Sequence, residues 1–168
     1  MPHIFIRGDV MRNQNRKKYV FWIALTEAVG LLAGLLTREG TEIYKLTIEK
    51  PPLSPPAILF PIVWTVLYAL MGVSMAMVNL LPASKYRSRA AYIYIAQLVF
   101  NFFWSIIFFN LQAFGFAFIW LVALWILILT MILVFRKLDS TAAYLQIPYL
   151  VWVSFAGYLN LGVWLLNK

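Results

Sequence analysis

Five long apolar runs constrain this chain more than any other feature of its sequence. They cover residues 19–37, 57–81, 90–110, 113–135 and 141–166. A helix needs about 20 residues to cross the hydrocarbon core of a bilayer, and these runs match that length. A helix also satisfies its own backbone hydrogen bonds, which lipid cannot do. The sequence therefore predicts an all-α integral membrane protein with five transmembrane helices.

The composition agrees with a membrane location. Of the 168 residues, 63% are hydrophobic and 12% are charged, whereas soluble proteins are about half apolar and a quarter charged. The connections between the apolar runs are short, and none is long enough to form a second domain in water. Residues 1–168 are therefore predicted to form one membrane domain.

The positions of the basic residues indicate how the chain crosses the membrane. Ten of the 14 Lys and Arg residues lie on the side of the N-terminus, and four lie on the opposite side. The positive-inside rule then predicts a cytoplasmic N-terminus and, after five crossings, an external C-terminus. Because the charges follow the topology, they do not indicate a nucleic-acid partner.

Several classes of chemistry are not supported by the sequence. The chain has no cysteine, and its one histidine, His3, stands alone in the polar N-terminal segment. No metal site, haem ligand or iron–sulfur site is therefore expected, and no cofactor is required. Motifs of hydrolases, nucleotide-binding proteins and zinc proteases are absent from the sequence.

The second apolar run carries a stripe of aromatic and small residues. Trp64, Tyr68 and Gly72 recur every fourth residue and so share one helical face. Small residues allow helices to approach closely and aromatic residues fill space. On its own, this stripe indicates packing more than ligand contact.

The third and fifth runs carry similar stripes. Their members are Gln97, Asn101 and Ser105, with Trp104 alongside, and Tyr149, Trp152, Ala156 and Asn160. Amide and hydroxyl groups are costly against lipid, so these faces meet protein or a cavity. Interhelical hydrogen bonding explains the third run as well as ligand contact does. Together, the three faces favour a cavity for a large, flat, mostly apolar ligand with polar edges.

The first run contains an ionisable residue and a pair of glycines. Glu27 lies midway along it and is a functional candidate, although a hydrogen-bonded carboxyl facing the bundle is the favoured interpretation. Gly30 and Gly34 form a GxxxG spacing suited to helix packing or dimerisation. The connection that follows, residues 38–56, ends in "EKPPLSPP", whose prolines predict an extended strap leading into the second helix.

These motifs together resemble the translocator protein (TspO) family, also called tryptophan-rich sensory proteins or peripheral-type benzodiazepine receptors. The resemblance rests on "KPPLSPP" followed by "FPIVWTVLYALMGVS", then on "QLVFNFFWSIIFF" and "AAYLQIPYLVWVSFAGYLN". It extends from about residue 50 to the C-terminus, and its bacterial branch is the better match.

The resemblance implies a five-helix bundle, usually a homodimer, in the cytoplasmic membrane of a bacterium, with a ligand cavity capped by residues 38–56. Family members bind porphyrins such as protoporphyrin IX and synthetic isoquinoline carboxamide and benzodiazepine ligands. In some bacterial members, the tryptophans that match Trp64 and Trp152 are associated with light- and oxygen-dependent breakdown of porphyrin. The family positions that line the cavity correspond here to Pro51, Trp64, Tyr68, Asn101, Trp104, Ser105, Tyr149, Trp152 and Ala156.

The chain departs from the family pattern in its capping loop and at its C-terminus. Leu53 stands where the family has a tryptophan before "PP", and Tyr44 and Lys45 replace a Trp-Tyr pair. The C-terminal segment lacks the Tyr and Arg of the animal cholesterol motif, so cholesterol is not an expected ligand. Three functions follow as hypotheses: a porphyrin receptor or sensor, a photo-oxidative enzyme that uses Trp64 and Trp152, and a transporter of tetrapyrroles or other amphiphiles.

Overall fold

The structure, a computed structural model, describes the backbone from residue 3 to residue 168 and the side chains from residue 13 onward. The side chains of His3 and Arg12 therefore lie outside the described part. The described residues form seven α-helices and one π-helical segment, Ile106–Asn110. The α-helices are α1 His3–Leu36, α2 Arg38–Thr47, α3 Leu59–Leu80, α4 Lys85–Ser105, α5 Phe114–Arg136, α6 Ser140–Tyr144 and α7 Ile147–Leu166.

Five helical spans are long and apolar enough to cross a membrane. They are Asn13–Leu36, Leu59–Leu80, Lys85–Asn110, Phe114–Arg136 and Ser140–Leu166. The prediction of an all-α, five-span membrane protein is confirmed. The first and third spans begin about six and five residues before their predicted starts, and the other predicted boundaries lie within about two residues of the observed ones. The side of the membrane on which each terminus lies stays a prediction.

The five spans form a closed ring around one core. Helix α1 packs on α3 and α4, α4 packs on α5, α5 packs on α6 and α7, and α6 closes the ring against α3. The core holds mostly large apolar side chains, among them Met71, Met75, Leu124, Ile128 and Phe135. Helix α1 is the most peripheral span, because among its described residues only Thr26 and Ala33 are buried.

Short polar signals set the ends of the helices on the more basic side. Ser84 caps α4 by accepting a hydrogen bond from the Arg87 amide at 3.1 Å, and Asp139 caps α6 in the same way. The Lys18 ammonium donates to the Asn79 carbonyl at 3.3 Å and the Arg87 guanidinium donates to that of Leu81 at 2.6 Å. These cations satisfy carbonyls that the end of α3 leaves free and interact favourably with its dipole.

The connection between the first two spans has two parts. Its first half forms the amphipathic helix α2, which the sequence reasoning did not predict. Its second half, residues 48–58, is the non-helical strap expected from the prolines. Helix α2 packs through Tyr44 against Phe108 and Phe109, with ring centroids 5.4 and 5.5 Å apart. Because both phenylalanines lie in the π-helical segment, this local change of helix geometry gives α2 a place to dock.

The strap is fixed to α7 at three points. The Asn167 side chain bonds both the amide and the carbonyl of Glu49, at 3.0 and 2.9 Å. The Tyr158 hydroxyl donates to the Pro52 carbonyl at 2.9 Å. Buried Pro51 lies so close to Gly162 that a Cβ at that position would overlap the proline ring. The strap therefore covers the end of the bundle at which α7 terminates.

The fifth span is not one continuous helix. Helix α6 ends at Tyr144, Leu145 and Gln146 form a turn, and Pro148 lies in the first turn of α7. Pro148 has no amide hydrogen, so the helical hydrogen-bond ladder is interrupted at this point.

The two glycines of the GxxxG pair have different surroundings. A Cβ at Gly30 would overlap the ring of Tyr68, whereas a Cβ at Gly34 would meet open space. Gly30 therefore serves packing within the bundle, and Gly34 is exposed on the outer face of α1. Glu27 is half-buried one turn before Gly30.

Candidate ligand-binding site

A directed chain of hydrogen bonds joins three of the predicted site residues in the middle of the bundle. The Tyr68 hydroxyl donates to the Asn101 Oδ1 at 2.7 Å, and the Asn101 Nδ2 donates to the Tyr149 hydroxyl at 2.9 Å. Tyr149 in turn donates to the Gln97 Oε1 at 2.9 Å. All four side chains are buried, and each inner member both donates and accepts. Such a chain fixes the rotamers of its members and thereby defines a rigid polar centre.

The chain ends at a weak acceptor. The Gln97 Nε2 donates to the Met71 sulfur at 3.8 Å. A thioether accepts only weakly, so the amide of Gln97 retains unused donor capacity. Gln97 belongs to the polar stripe of α4 but was not among the predicted site residues. Its position one turn before Asn101 is the sequence signal that places it there.

Trp64 covers this polar centre from the strap side. Its ring lies 5.3 Å from that of Tyr68 and 6.1 Å from that of Tyr149, measured between centroids. Trp64 is half-buried, whereas both tyrosines are buried. The structure thus brings together Trp64, Tyr68, Asn101 and Tyr149, which we call the aromatic–polar cluster.

Trp104 and Asn160 form a separate pair that ties α4 to α7. The Trp104 Nε1 donates to the Asn160 Oδ1 at 3.2 Å, and the Asn160 Nδ2 donates to the Phe114 carbonyl at 2.8 Å. The Trp104 ring stacks on Phe108 with centroids 5.3 Å apart. Because both polar ends are satisfied within the protein, this pair holds the helices together in the described structure.

Three further predicted residues lie around these two groups. Ser105 is half-buried at the end of α4, Ala156 is buried on α7, and Pro51, a residue of the strap, is buried against Gly162. Trp152 is half-buried one turn after Tyr149 on α7, and its ring lies 5.8 Å from that of Phe60. The role of each residue in ligand binding stays a prediction.

Trp152 also lines a groove between α3 and α7. The groove has a volume of about 620 Å³, within the range of small-molecule sites. Its lining is almost wholly apolar and consists of Ile62, Val63, Val66, Leu67, Pro148, Val151, Trp152 and Phe155. Among the predicted site residues, Trp152 is the one that faces this groove.

Two buried polar groups lack protein partners in the part of the chain whose side chains the structure describes. One is the indole nitrogen of Trp152, and the other is the side-chain amide of Gln146, at both its oxygen and its nitrogen. Gln146 is fully buried in the turn between α6 and α7. Sequence reasoning missed it, although its position three residues before Tyr149 puts it near the same helical face. A buried polar group without a partner is costly, so each marks a position where a bound molecule would be stabilising.

The arrangement favours binding over acid–base catalysis. The aromatic–polar cluster offers ring faces, hydroxyls and amides but no charged group. Among residues 13–168, no three His, Cys, Asp or Glu side chains converge in a way that could hold a metal ion. Aromatic faces suit a flat apolar molecule, and the few polar groups suit its acceptor and donor edges.

The amino-acid sequence is similar to one known protein family and to several of its members. The model of the TspO/MBR family matches residues 22–165. The chain is 38% identical over 146 residues to the tryptophan-rich protein TspO of Chlorobaculum tepidum, which covers 86% of this chain and 92% of that protein. It is 35% identical to the protein of the same name from Archaeoglobus fulgidus, over 91% and 99% of the two chains. It is 32% identical to the translocator protein of Bos taurus, over 83% of each chain.

Proposed function

Because the chain belongs to the TspO/MBR family, we propose that this multi-pass membrane protein is a receptor for porphyrins, with protoporphyrin IX as its reference ligand. Membership and the five spans support a membrane sensor, receptor or transporter. The more specific proposal concerns the ligand and its site. We also propose that the protein forms a homodimer and lies in the cytoplasmic membrane of a bacterium, as the resemblance implied.

The aromatic–polar cluster carries this proposal. Trp64, Tyr68 and Tyr149 offer three aromatic rings, and Asn101 fixes the two tyrosines by accepting from one and donating to the other. Stacking on such rings contributes about 0.5–1.5 kcal/mol per aromatic pair beyond the buried area. A flat tetrapyrrole has the large faces that this arrangement suits. The unpaired indole nitrogen of Trp152 adds a donor for an acceptor atom on the ligand.

Equilibrium titration with protoporphyrin IX in the dark tests binding. Saturable quenching of tryptophan fluorescence is expected for the purified protein. Trp64→Ala and Trp152→Ala are expected to weaken binding by about tenfold, which corresponds to about 1.4 kcal/mol. Trp125→Ala is the matched control, because its indole donates to the exposed Ser154 hydroxyl on another face. No saturation, or equal affinity in all variants, would refute the proposal.

A second candidate function is light-dependent breakdown of the bound porphyrin. A photoexcited porphyrin can take an electron from an indole, which gives an indole radical cation and a porphyrin radical anion. Dioxygen, the oxidant, can then add to the reduced ring and open it, and an external reductant such as a thiol has to return an electron to the indole. Trp64 is an electron-rich group next to two phenols within the cluster, and Trp152 lines the neighbouring groove. Loss of porphyrin absorbance under illumination should be slower in Trp64→Phe and Trp152→Phe than in Trp125→Phe. Equal bleaching with and without protein would end this candidate.

The names of the relatives leave transport as the alternative function. One is a tryptophan-rich sensory protein from Cereibacter sphaeroides, 34% identical over 120 residues, and others are translocator proteins. A transporter would speed the passage of protoporphyrin IX into proteoliposomes. Uptake equal to that of empty liposomes would favour the receptor.

A further inference from the structure

The strap is held over the end of the bundle by contacts with α7 and with Asn167, which directly follows it. Asn167 holds Glu49 through two hydrogen bonds, and Tyr158 holds the Pro52 carbonyl. Pro51 is buried against Gly162 between these points. A ligand that approached the cluster from water at this end would have to break several of these contacts together.

The side of the bundle between α3 and α7 is open by comparison. The spans that contain these two helices are neighbours in the ring, and a groove of about 620 Å³ lies between α3 and α7. Its rims are lipid-facing, since Val66 and Val151 are 54% and 62% exposed. No lining residue is charged, so an apolar molecule dissolved in the bilayer meets no desolvation cost on entering.

The groove adjoins the aromatic–polar cluster. On α3, the groove residues Val63 and Leu67 directly precede the cluster residues Trp64 and Tyr68 in the chain. On α7, Trp152 lies one turn after Tyr149. The indole nitrogen of Trp152 is buried without an acceptor in the described part of the chain, so a ligand with an acceptor atom would satisfy it. The groove and the proposed site therefore border the same stretches of α3 and α7.

The break in the fifth span gives α7 a place to pivot. Pro148 lines the groove in the first turn of α7 and contributes no amide to the helical ladder. Helix α7 is thus joined to α6 by a turn rather than by continuous helix. A small movement of this end of α7 away from α3 would widen the groove without disturbing α6, whose Ala142 carbonyl accepts from Ser74 at 2.7 Å.

We infer that the ligand enters from within the bilayer through the groove between α3 and α7, not from water beneath the strap. This inference rests on the proposed function and assigns the groove to the same ligand class: flat, lipid-soluble porphyrins with acceptor atoms at their edges. The fraction of receptor with bound ligand then depends on the concentration of the ligand in the bilayer, not in water. The strap acts as a fixed cover, and α7 is the moving wall.

The experiment measures how fast the ligand transfers from vesicles to the protein. Donor vesicles carry protoporphyrin IX, acceptor proteoliposomes carry the protein, and the change in porphyrin absorbance on binding is followed over time. Val66→Trp and Val151→Trp fill the groove from its two sides. Val122→Trp, on the 42% exposed lipid-facing side of α5, adds the same bulk elsewhere. A combined Tyr158→Phe and Asn167→Ala variant removes the hydrogen bonds by which Tyr158 and Asn167 hold the strap.

The two groove variants are expected to lower the association rate by about tenfold, as obstructed access does. The α5 control and the strap variant should match the wild type. Faster association in the strap variant, or equal rates in the groove variants and the α5 control, would refute lateral entry. A change of oligomeric state in a groove variant, seen by cross-linking, would show a second copy in the groove and would also refute it.

The outcomes separate this inference from the proposed function. If the wild type does not bind protoporphyrin IX at equilibrium, both the proposed function and the entry route are refuted. If the wild type binds and the groove variants bind at the control rate, only the route is wrong. Thermal unfolding of each variant checks that it is folded. Because one groove variant is on α3 and the other on α7, the route can still be tested if one of them does not fold.

Discussion

Replacing Asn101 by leucine tests whether the hydrogen-bond chain stabilises the bundle. Leucine keeps the branched shape of asparagine, although it is larger, and it neither accepts nor donates. The substitution breaks the bond from Tyr68 at 2.7 Å and the bond to Tyr149 at 2.9 Å. It leaves the hydroxyl hydrogen of Tyr68 without its acceptor, in a side chain that is 6% exposed.

The size of the effect follows from these three losses. Interhelical hydrogen bonds in membranes contribute about 0.6 kcal/mol on average and up to about 1.7 kcal/mol. Two of them amount to roughly 1–2 kcal/mol, and an orphaned buried hydroxyl adds roughly 1–3 kcal/mol. We expect Asn101→Leu to lower the free energy of unfolding by about 2–5 kcal/mol.

A double-mutant cycle separates the orphaned hydroxyl from other causes. In the background of Tyr68→Phe there is no hydroxyl to orphan, so Asn101→Leu should cost about 1–2 kcal/mol less than in the wild type. The free energies come from equilibrium unfolding in mixed detergent micelles, followed by circular dichroism. Tyr92→Phe is the matched control, because Tyr92 is 79% exposed and its variant should match the wild type within about 0.5 kcal/mol. Additive effects of the two substitutions would refute the argument, since the Tyr68–Asn101 bond would then carry no coupling energy.

Two further predictions concern packing and pH. Gly30→Ala should destabilise the protein by about 1–3 kcal/mol because the added Cβ overlaps the Tyr68 ring. Gly34→Ala places its Cβ in open space, so it should be neutral or stabilising by up to about 1 kcal/mol. Equal free energies of unfolding for the two variants would contradict this packing. Burial raises the pKa of the Tyr44 phenol above its usual value of 10. The stability that neutral Tyr44 contributes is therefore fully present below pH 10, and it is lost as the pH rises through the higher pKa of the folded state. The unfolding temperature of the wild type should therefore fall more steeply above pH 10 than that of Tyr44→Phe, and parallel curves would show that Tyr44 is not responsible.

The sequence predicted the fold because its main determinants are local. Lipid leaves a backbone no partner except itself, so an apolar run such as residues 113–135 has to be a helix, observed here as Phe114–Arg136. The prolines of the strap exclude helix for the same local reason. Helix α2 was missed because a helix of 10 residues is marginal alone and owes its stability to docking on Phe108 and Phe109.

The sequence also identified which faces carry polar and aromatic groups, since helical spacing alone puts Tyr68, Asn101 and Tyr149 on inward faces. Spacing within a helix carries no information about the partner on another helix. Only the tertiary structure decided that these three side chains form one hydrogen-bonded chain with Gln97, whereas Trp104 pairs with Asn160 in a separate link. It also decided that Gly30 packs and Gly34 does not, and that α3 and α7 leave a groove beside Trp152. Each of these outcomes depends on the axial rotation and separation of neighbouring helices, and the packing of the whole bundle sets both.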